Sequence, residues 1–395
     1  MEFIEQKLNK NTPFFEETIF ENKCIYTNDI VYKKSFITND NRIFFKYSNF
    51  IIVYDLNGKR LQMLIDHIKK ISCIAISGDK LISGSMDKTI KIWDLNNYNC
   101  IATLRGHTKT VISLIINEDK IISLGYDKEI RIWDLSNGDC LKVIKQPEDI
   151  SHIVVINNNK LIMLNYGYDI KILDLNEQSD TYGQCIKVLQ GHTYYIRSLA
   201  ISGDKLISGS WDKTIKIWDL NNYNCIATLR GHTGLVNCIA INNNNIISGS
   251  SDGTIRIWDL NTRNNSQDCI ILQSYESVNC ITLSGDKIIV GNEKTVQIWD
   301  LNEQKTYNRV AVLRGHVEKI NLVAVEGGKI ISGSEDKTIR IWDLNRRVKI
   351  YKRKREELPI DNLKFIEKTA TEIKEIHARI DELKEEMMRA ISNIS

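Results

Sequence analysis

The stretch SGDKLISGSWDKTIKIWDLNNYNCIATLRGHT, residues 202–233, decides how this chain folds. It contains two short alternating runs, Lys205–Ser210 and Thr214–Leu220, which are joined by a turn at Trp211–Lys213. In the second run, alternate isoleucines fall on one face of an extended strand and the intervening residues fall on the other. A hairpin of this size has apolar surface that it cannot cover by itself. The pattern therefore predicts a hairpin that is stable only beside copies of itself.

The chain repeats this hairpin along most of its length. Each copy ends on a large apolar or aromatic residue followed by Asp, at intervals of 40 to 45 residues. The endings are Trp93–Asp94, Trp133–Asp134, Leu173–Asp174, Trp218–Asp219, Trp258–Asp259, Trp299–Asp300 and Trp342–Asp343, with Tyr54–Asp55 one period upstream. A period near 40 with four short strands per unit is the sequence signature of a β-propeller. Counting every unit predicts an all-β propeller of eight blades, with seven as the alternative.

Five units carry the same four polar residues at the same spacing. The sets are His67, Ser83, Asp87, Trp93; His107, Ser123, Asp127, Trp133; His192, Ser208, Asp212, Trp218; His232, Ser248, Asp252, Trp258; and His316, Ser332, Asp336, Trp342. On these residues the chain resembles the WD40-repeat family over about residues 30 to 352. The resemblance implies that each set is a hydrogen-bonded chain inside its blade. Such chains are needed because an unpaired buried polar group costs about 1–3 kcal/mol.

Two units depart from this pattern. In the fourth, the corresponding places hold Pro147, Met163, Gly167 and Leu173. The seventh lacks both the His and the Ser, and Val290 stands at the Ser position. We expect these two blades to be looser than the others and held by apolar packing alone.

The amino-acid sequence of the repeats shows a second, narrower resemblance. The motifs SGDKLISGS and WDLN resemble those in the repeats of giant-virus proteins that join a BTB domain to WD repeats. No BTB domain is expected in this chain.

The segments that flank the repeats complete the predicted domain organisation. We predict an N-terminal extension at 1–29, the propeller at 30–355 and a C-terminal helix at 356–395. The ring closes in one of two ways, because either Val348–Lys352 or Lys23–Thr27 can supply the last outer strand. The sequence leaves both open.

The C-terminal helix has an apolar heptad pattern over residues 366–394. Such a pattern predicts self-association as a coiled coil. Thr369 and Ala390 weaken the seam of this coil. The alternatives are a helix that folds back on the propeller and a helix that binds another protein.

Composition argues against several kinds of partner. The net charge is +3, from 53 basic and 50 acidic residues, so no general attraction for nucleic acid is expected. The sequence has no apolar run of membrane-spanning length and no signal-like N-terminus, so no membrane partner is expected. The basic run at 346–355 fits an exposed edge strand. Its alternative is a nuclear address or a nucleic-acid contact.

Cysteine placement indicates the cellular setting. Five cysteines recur at the start of the outermost strand of a blade: Cys100, Cys140, Cys185, Cys225 and Cys269. Copies on different blades are too far apart for a disulfide or a shared metal. We therefore predict reduced structural thiols and a cytoplasmic location, with the nucleus as the alternative if the basic run is an address.

The histidines argue against an enzyme. Only His152 and His377 lie outside the five polar sets. No metal-binding spacing, phosphate loop or nucleophile elbow is present. The Ser, His and Asp of each unit are interpreted as structural, since each set also includes a Trp. We predict no catalytic residues, no cofactor and no metal, with a propeller enzyme as the alternative.

An internal duplication points to a binding surface. Residues 77–108 and 202–233 are identical except that Met86 replaces Trp211. In the WD40 family this position points out of the top face, as do the positions three and five places after the blade His. Carried over residue by residue, the resemblance predicts these partner-binding residues: Tyr126, His152, Tyr166, Tyr195, Arg197, Trp211 and Leu235. The alternative explanation of Met86 against Trp211 is drift at an exposed position.

Together these patterns predict a non-enzymatic scaffold that binds a protein or peptide partner on its top face. Tyr, Trp and Arg are the residue types that dominate binding energy at interfaces. A substrate receptor of a ubiquitin ligase is the alternative function, and it would need an adaptor-binding element.

Overall fold

The computed structural model describes residues 18–19, 36–146, 150–157, 159–165, 168–261, 269–301, 307–336 and 338–343. The predicted C-terminal helix, its coiled coil and the basic run lie outside these residues. The described residues form thirty-two strands in eight four-stranded antiparallel sheets. None of the described residues belongs to a helix that could cross a membrane.

The strands are numbered in chain order, and a two-residue strand, β1 (Thr18–Ile19), precedes the others. Blades one and two are β2 (Phe36–Asn39), β3 (Arg42–Tyr47), β4 (Phe50–Asp55), β5 (Arg60–Ile65) and β6 (Ile71–Ser77), β7 (Lys80–Ser85), β8 (Ile90–Asp94), β9 (Cys100–Leu104). Blades three and four are β10 (Val111–Asn117), β11 (Lys120–Gly125), β12 (Glu129–Asp134), β13 (Cys140–Lys145) and β14 (Ile150–Asn157), β15 (Lys160–Asn165), β16 (Ile170–Asp174), β17 (Cys185–Leu189).

The second half of the ring repeats the same arrangement. Blades five and six are β18 (Ile196–Ser202), β19 (Lys205–Ser210), β20 (Ile215–Asp219), β21 (Cys225–Leu229) and β22 (Val236–Asn242), β23 (Asn245–Ser250), β24 (Thr254–Asp259), β25 (Ile270–Gln273). Blades seven and eight are β26 (Cys280–Ser284), β27 (Lys287–Gly291), β28 (Thr295–Asp300), β29 (Arg309–Arg314) and β30 (Ile320–Glu326), β31 (Lys329–Ser334), β32 (Ile339–Asp343). The prediction of an all-β propeller with eight blades is confirmed.

Neighbouring blades are held together by apolar cores that lie between their sheets. Between blades five and six, for example, Ile207 and Ile217 pack in one cluster with Val236 and Trp258. Gly209 makes this close approach possible, because a Cβ there would lie 2.8 Å from side-chain carbons of the next blade. Apolar burial of this kind is worth about 25 cal/mol per Å² and is the main stabilising term of the fold.

The ring is closed by packing and by a strand from the N-terminal side. Phe45 of blade one and Ile331 of blade eight lie in a shared buried cluster. The outermost place in blade eight is taken by β1, in which Thr18 pairs with Ile341 and Ile19 with Arg340. The closing strand therefore comes from the N-terminal side. It lies earlier in the chain than the predicted segment Lys23–Thr27, which is outside the described residues, as is Val348–Lys352.

Candidate functional site

The loops at one edge of the ring carry the residues of interest. In each antiparallel blade, the loop that enters the first strand lies at the same edge as the turn between the second and third strands. We call this edge the top face. In blade five it comprises the loop 190–195 and the turn 211–213.

The five polar sets form hydrogen-bonded chains in their blades. In each, the Trp Nε1–H donates to the Ser Oγ at 2.8–2.9 Å. The Ser Oγ lies 2.7–2.9 Å from the His Nε2. The His Nδ1 lies 2.7–2.9 Å from an Asp Oδ2. Each chain therefore ties a blade's inner strands to the loop and the turn at its top face.

The charge states of these groups follow from burial and bonding. Burial lowers the pKa of His67, His107, His232 and His316 by more than their carboxylate partners raise it. Burial raises the pKa of the partner Asp252, but hydrogen bonds from His232 and Thr254 outweigh it and leave that pKa below its ordinary value. A neutral imidazole facing an ionised carboxylate fits both directions.

The Ser–His–Asp geometry of each set could be mistaken for a catalytic triad. Ser208, however, is 0% exposed, so no substrate can reach its hydroxyl. Its oxygen also accepts the N–H of Trp218 at 2.8 Å. A hydroxyl sealed between an indole and an imidazole stabilises a blade and does not act as a nucleophile.

The two exceptional blades differ from each other. In blade four, Met163 and Leu173 are fully buried in place of the Ser and Trp, while Pro147 and Gly167 lie outside the described residues. The described part of blade four thus fits the expectation of apolar packing.

In blade seven the expectation of apolar packing alone was wrong. The buried Ser274 Oγ donates to Asn292 Oδ1 at 3.1 Å, and Asn292 Nδ2 donates to Thr295 Oγ1 at 3.3 Å. Thr295 Oγ1 in turn donates to Glu276 Oε2 at 3.1 Å, and Gln297 Nε2 donates to the Ser274 carbonyl at 3.0 Å. Different residues at different positions therefore link the loop to the turn in this blade, so the repeated pattern of His, Ser, Asp and Trp did not predict them.

A cluster of aromatic side chains lies on the top face of blades four and five. We call Tyr168, Tyr194, Tyr195 and Trp211, together with Arg197, the aromatic cluster. Tyr194 stacks on Tyr168 at 5.8 Å and on Trp211 at 6.0 Å between ring centroids. Tyr195 meets these three rings edge to face at 5.1–5.8 Å. The Arg197 guanidinium lies 5.9 Å from the Trp211 ring centroid, within cation–π range.

The polar set of blade five holds the backbone beneath this cluster. The Thr193 N–H donates to Asp212 Oδ2 at 3.0 Å. The carbonyls of Tyr194 and Tyr195 accept from Ser210 Oγ and from the Trp211 N–H, both at 2.9 Å. The loop and the turn are thus joined at successive residues, so the aromatic rings project from a rigid base.

The cluster is accessible to a partner. The three tyrosines Tyr168, Tyr194 and Tyr195 are 39%, 45% and 41% exposed. The Trp211 Nε1, by contrast, is buried and has no hydrogen-bond acceptor among the described residues. An indole N–H without an acceptor is uncommon, because an orphaned buried donor is destabilising.

The structure brings together Tyr195, Arg197 and Trp211 of the residues predicted to bind a partner. Tyr126 is exposed in the turn of blade three, and Leu235 is half-buried in the loop of blade six. His152 lies in β14 and its side chain is outside the description; Tyr166 is outside the described residues altogether.

Sequence reasoning missed Tyr168 and Tyr194. Both had a signal in the sequence, since Tyr194 and Tyr195 are adjacent tyrosines and Tyr168 belongs to the sequence Tyr-Gly-Tyr. Neither occupies one of the three repeat positions that predicted partner-binding residues, which are the residue before the turn Asp and the residues three and five places after the blade His.

Comparisons with known proteins agree with the fold. The family model "WD domain, G-beta repeat" matches residues 183–219, 223–259 and 307–343. The model "IP5P C-F beta-propeller" matches residues 22–133.

Similarity to individual proteins is confined to short segments. Zinc finger CCCH domain-containing protein 62 of Arabidopsis thaliana is 52% identical over 46 residues, which are 12% of this chain and 11% of that protein. Mitochondrial division protein 1 of Pyricularia oryzae is 29% identical over 80 residues, 20% of this chain and 11% of that protein. WD repeat-containing protein 37 of Homo sapiens is 29% identical over 72 residues, 18% and 14% of the two chains. The matches thus span only a small part of each relative.

A solved structure supports the architecture as a whole. The computationally designed Ika8 protein superposes with a TM-score of 0.65 over 78% of this chain and 95% of its own, at 22% identity. That likeness concerns the fold alone. The matched repeats and the eight sheets lead to one conclusion: the chain carries WD40 repeats and forms an eight-bladed β-propeller.

Proposed function

We propose that this protein is a non-enzymatic interaction scaffold that binds a protein or peptide partner through the aromatic cluster on its top face. A WD-repeat propeller fits a scaffold role in general. The aromatic cluster supplies the side-chain types that carry most of the binding energy at interfaces.

The observation that carries the proposal is a comparison of blade two with blade five. Residues 67–108 and 192–233 differ at only seven positions. The differing pairs are Ile68/Thr193, Lys69/Tyr194, Lys70/Tyr195, Ser72/Arg197, Cys73/Ser198, Ile74/Leu199 and Met86/Trp211. Four of the seven substitutions supply members of the aromatic cluster, while the rest of the hairpin is almost unchanged.

Neutral drift does not account well for this distribution. Drift at exposed positions would place unrelated side chains there, with no tendency to contact one another. Instead, Tyr194, Tyr195 and Trp211 make mutual ring contacts at 5.1–6.0 Å. They also contact Tyr168, which lies on the neighbouring blade. A set of substitutions that converge on one surface favours a shared role in binding.

The test begins with identification of a partner by proximity labelling and mass spectrometry, followed by titration of the purified proteins. Trp211→Met should weaken binding by about thirtyfold, or ~2 kcal/mol, because a rigid aromatic anchor is replaced by a flexible chain. Its melting temperature should be unchanged, since the nearly identical hairpin of blade two carries Met86 at this position. Normal folding with unchanged affinity would place the binding site elsewhere.

A reciprocal variant serves as the matched control. Met86→Trp adds an indole to blade two, where Lys69 and Lys70 stand in place of the two tyrosines. It should neither strengthen nor weaken binding if the cluster acts as a unit. Cullin-adaptor subunits among the labelled proteins would instead favour a ubiquitin-ligase receptor, and metal-dependent turnover by the purified chain would contradict a non-enzymatic role.

A further inference from the structure

Charge on the top face is unevenly distributed around the ring. Blades two, three and five present exposed lysines in their loops and turns: Lys69, Lys88, Lys109 and Lys213. Blades seven and eight present four glutamates there, Glu276, Glu293, Glu318 and Glu335, interspersed with Lys294 and Lys319. We call the first group the basic sector and the second the mixed sector.

The aspartates of the basic sector do not cancel its lysines at the surface. Asp87, Asp127 and Asp212 are turned inward, where each accepts hydrogen bonds from its blade His. Asp66, in the loop entering blade two, forms an ion pair with Lys91 of β8. The outward-facing charge of these loops is therefore mainly positive.

The basic sector and the aromatic cluster are built on the same backbone scaffold. In blade two the carbonyls of Lys69 and Lys70 accept from Ser85 Oγ at 3.0 Å and from the Met86 N–H at 2.9 Å. These are the bonds that hold Tyr194 and Tyr195 in blade five. Two nearly identical hairpins thus present lysines at one place on the top face and aromatic rings at another.

The aromatic cluster itself favours an anionic ligand over a cationic one. The Arg197 guanidinium already lies over the Trp211 ring, where a cationic ligand group would otherwise bind. Among the described residues the Trp211 Nε1–H has no acceptor, and a carboxylate or a peptide carbonyl could supply one after a small movement of the ring.

We propose that the top face recognises an acidic peptide segment in which a large apolar residue is flanked by Asp or Glu. The apolar residue would pack on the aromatic cluster, and the carboxylates would face Arg197 and the lysines of the basic sector. This inference rests on the proposed function and specifies its ligand. A peptide fits better than a nucleic acid, because the glutamates of the mixed sector would repel a continuous phosphate backbone.

The first experiment selects ligands directly, so it does not require the natural partner. A library of random linear peptides displayed on phage is selected on the full chain, with counter-selection on Trp211→Met. Enriched sequences should combine Asp or Glu with a neighbouring Trp, Phe, Tyr or Leu, and should be depleted of Lys and Arg. Trp211-dependent peptides that are neutral or basic would overturn the acidic assignment and leave the proposed function standing.

The second experiment measures the role of charge with an enriched peptide made synthetically. The variant Lys69→Glu/Lys109→Glu should weaken its binding by about tenfold, and the loss should shrink as salt rises. The matched control is Lys59→Glu/Lys187→Glu, which changes net charge equally but lies away from the top face; both of its lysines are exposed. Equal effects of the two double variants would contradict a role for the basic sector.

Two further outcomes separate this inference from the proposed function. A selection that yields no peptide dependent on Trp211 would count against both. A fluorescent single-stranded oligonucleotide that binds the chain as tightly as the selected peptide, and competes with it, would overturn the peptide assignment in favour of nucleic acid.

Discussion

Asp212 shows at the scale of one residue how the repeat sequence is converted into structure. Its carboxylate accepts from His192 Nδ1 at 2.7 Å, from the Thr193 N–H at 3.0 Å, and from the N–H and Oγ1–H of Thr214 at 2.9 and 2.6 Å. Burial raises the pKa of Asp212, but these hydrogen bonds lower that pKa by a larger amount and keep the carboxylate ionised. One side chain therefore fixes the loop, the turn and the histidine together.

Removal of this acceptor should be costly. We expect Asp212→Ala to lower the free energy of unfolding by about 1–3 kcal/mol, because several buried donors lose their partner. The measurement is urea unfolding followed by tryptophan fluorescence. Asp204→Ala, an exposed aspartate at the opposite edge of the same blade, should change stability by less than about 0.5 kcal/mol. Equal losses at the two sites would show that the polar chain does not hold the blade.

At this scale the sequence predicted part of the candidate site. The resemblance to WD40 repeats predicted Tyr195, Arg197 and Trp211 on the top face, and the structure brings these three together. It could not reveal Tyr168, because that residue reaches the cluster from the neighbouring blade. Contacts between blades depend on loop geometry, which a comparison of equivalent positions does not contain.

Blade seven shows at the scale of an element that a blade can replace its polar set. Val290 removes the usual acceptor, and Trp299 Nε1 is left without a partner among the described residues. The link between loop and turn is instead made by Ser274, Asn292 and Thr295, all of which are buried. The constraint is therefore the satisfaction of buried polar groups, and more than one set of residues meets it.

This replacement network should matter for stability. Asn292 is 0% exposed and bonds to Ser274 and Thr295. Asn292→Ala should lower the free energy of unfolding by about 1–3 kcal/mol, since both partners remain buried. Lys294→Ala, at an exposed position two residues further on, is the control and should have little effect. An Asn292→Ala variant as stable as the control would restore the view that this blade relies on apolar packing alone.

Strand prediction succeeded where alternation was strong and failed where it was absent. The predicted run Lys205–Ser210 has the bounds of β19, and the predicted run Thr214–Leu220 contains β20, Ile215–Asp219. The two residues of β1 carry no pattern of their own, since their place is set by the open edge of β32.

The whole molecule depends on closure of the ring. Buried clusters lie between successive blades, and the cluster shared by blades eight and one is made by residues at opposite ends of the repeat region, such as Phe36 and Ile341. Strand β1 adds a backbone connection at the same junction. Because this junction joins distant parts of the chain, we expect the blades to unfold together, so that effects in single blades act on the stability of the whole propeller.

The repeated histidines give this cooperative unit a predictable response to pH. Burial holds the pKa of His67, His107, His232 and His316 below the ordinary value of 6.5. Between 6.5 and the lowered folded-state pKa, the unfolded chain binds more protons than the folded one. Stability is therefore complete above 6.5 and is lost as pH falls through that window. The aspartate partners have lowered pKa values too, and their effect begins only at more acidic pH.

Urea unfolding from about pH 7.5 down to about pH 5.5 should show a falling free energy of unfolding, by up to about 1.4 kcal/mol per pH unit for each histidine that titrates only in the unfolded chain. If the blades unfold together as expected, the four contributions should add in one transition. His107→Asn should be less stable at every pH, yet its stability should depend less steeply on pH, because one titrating group is gone. A free energy that is constant or rises as the pH falls would mean that the buried imidazoles are protonated in the folded propeller. In that case the hydrogen bond between His and Ser would run in the opposite direction, with the imidazolium as donor.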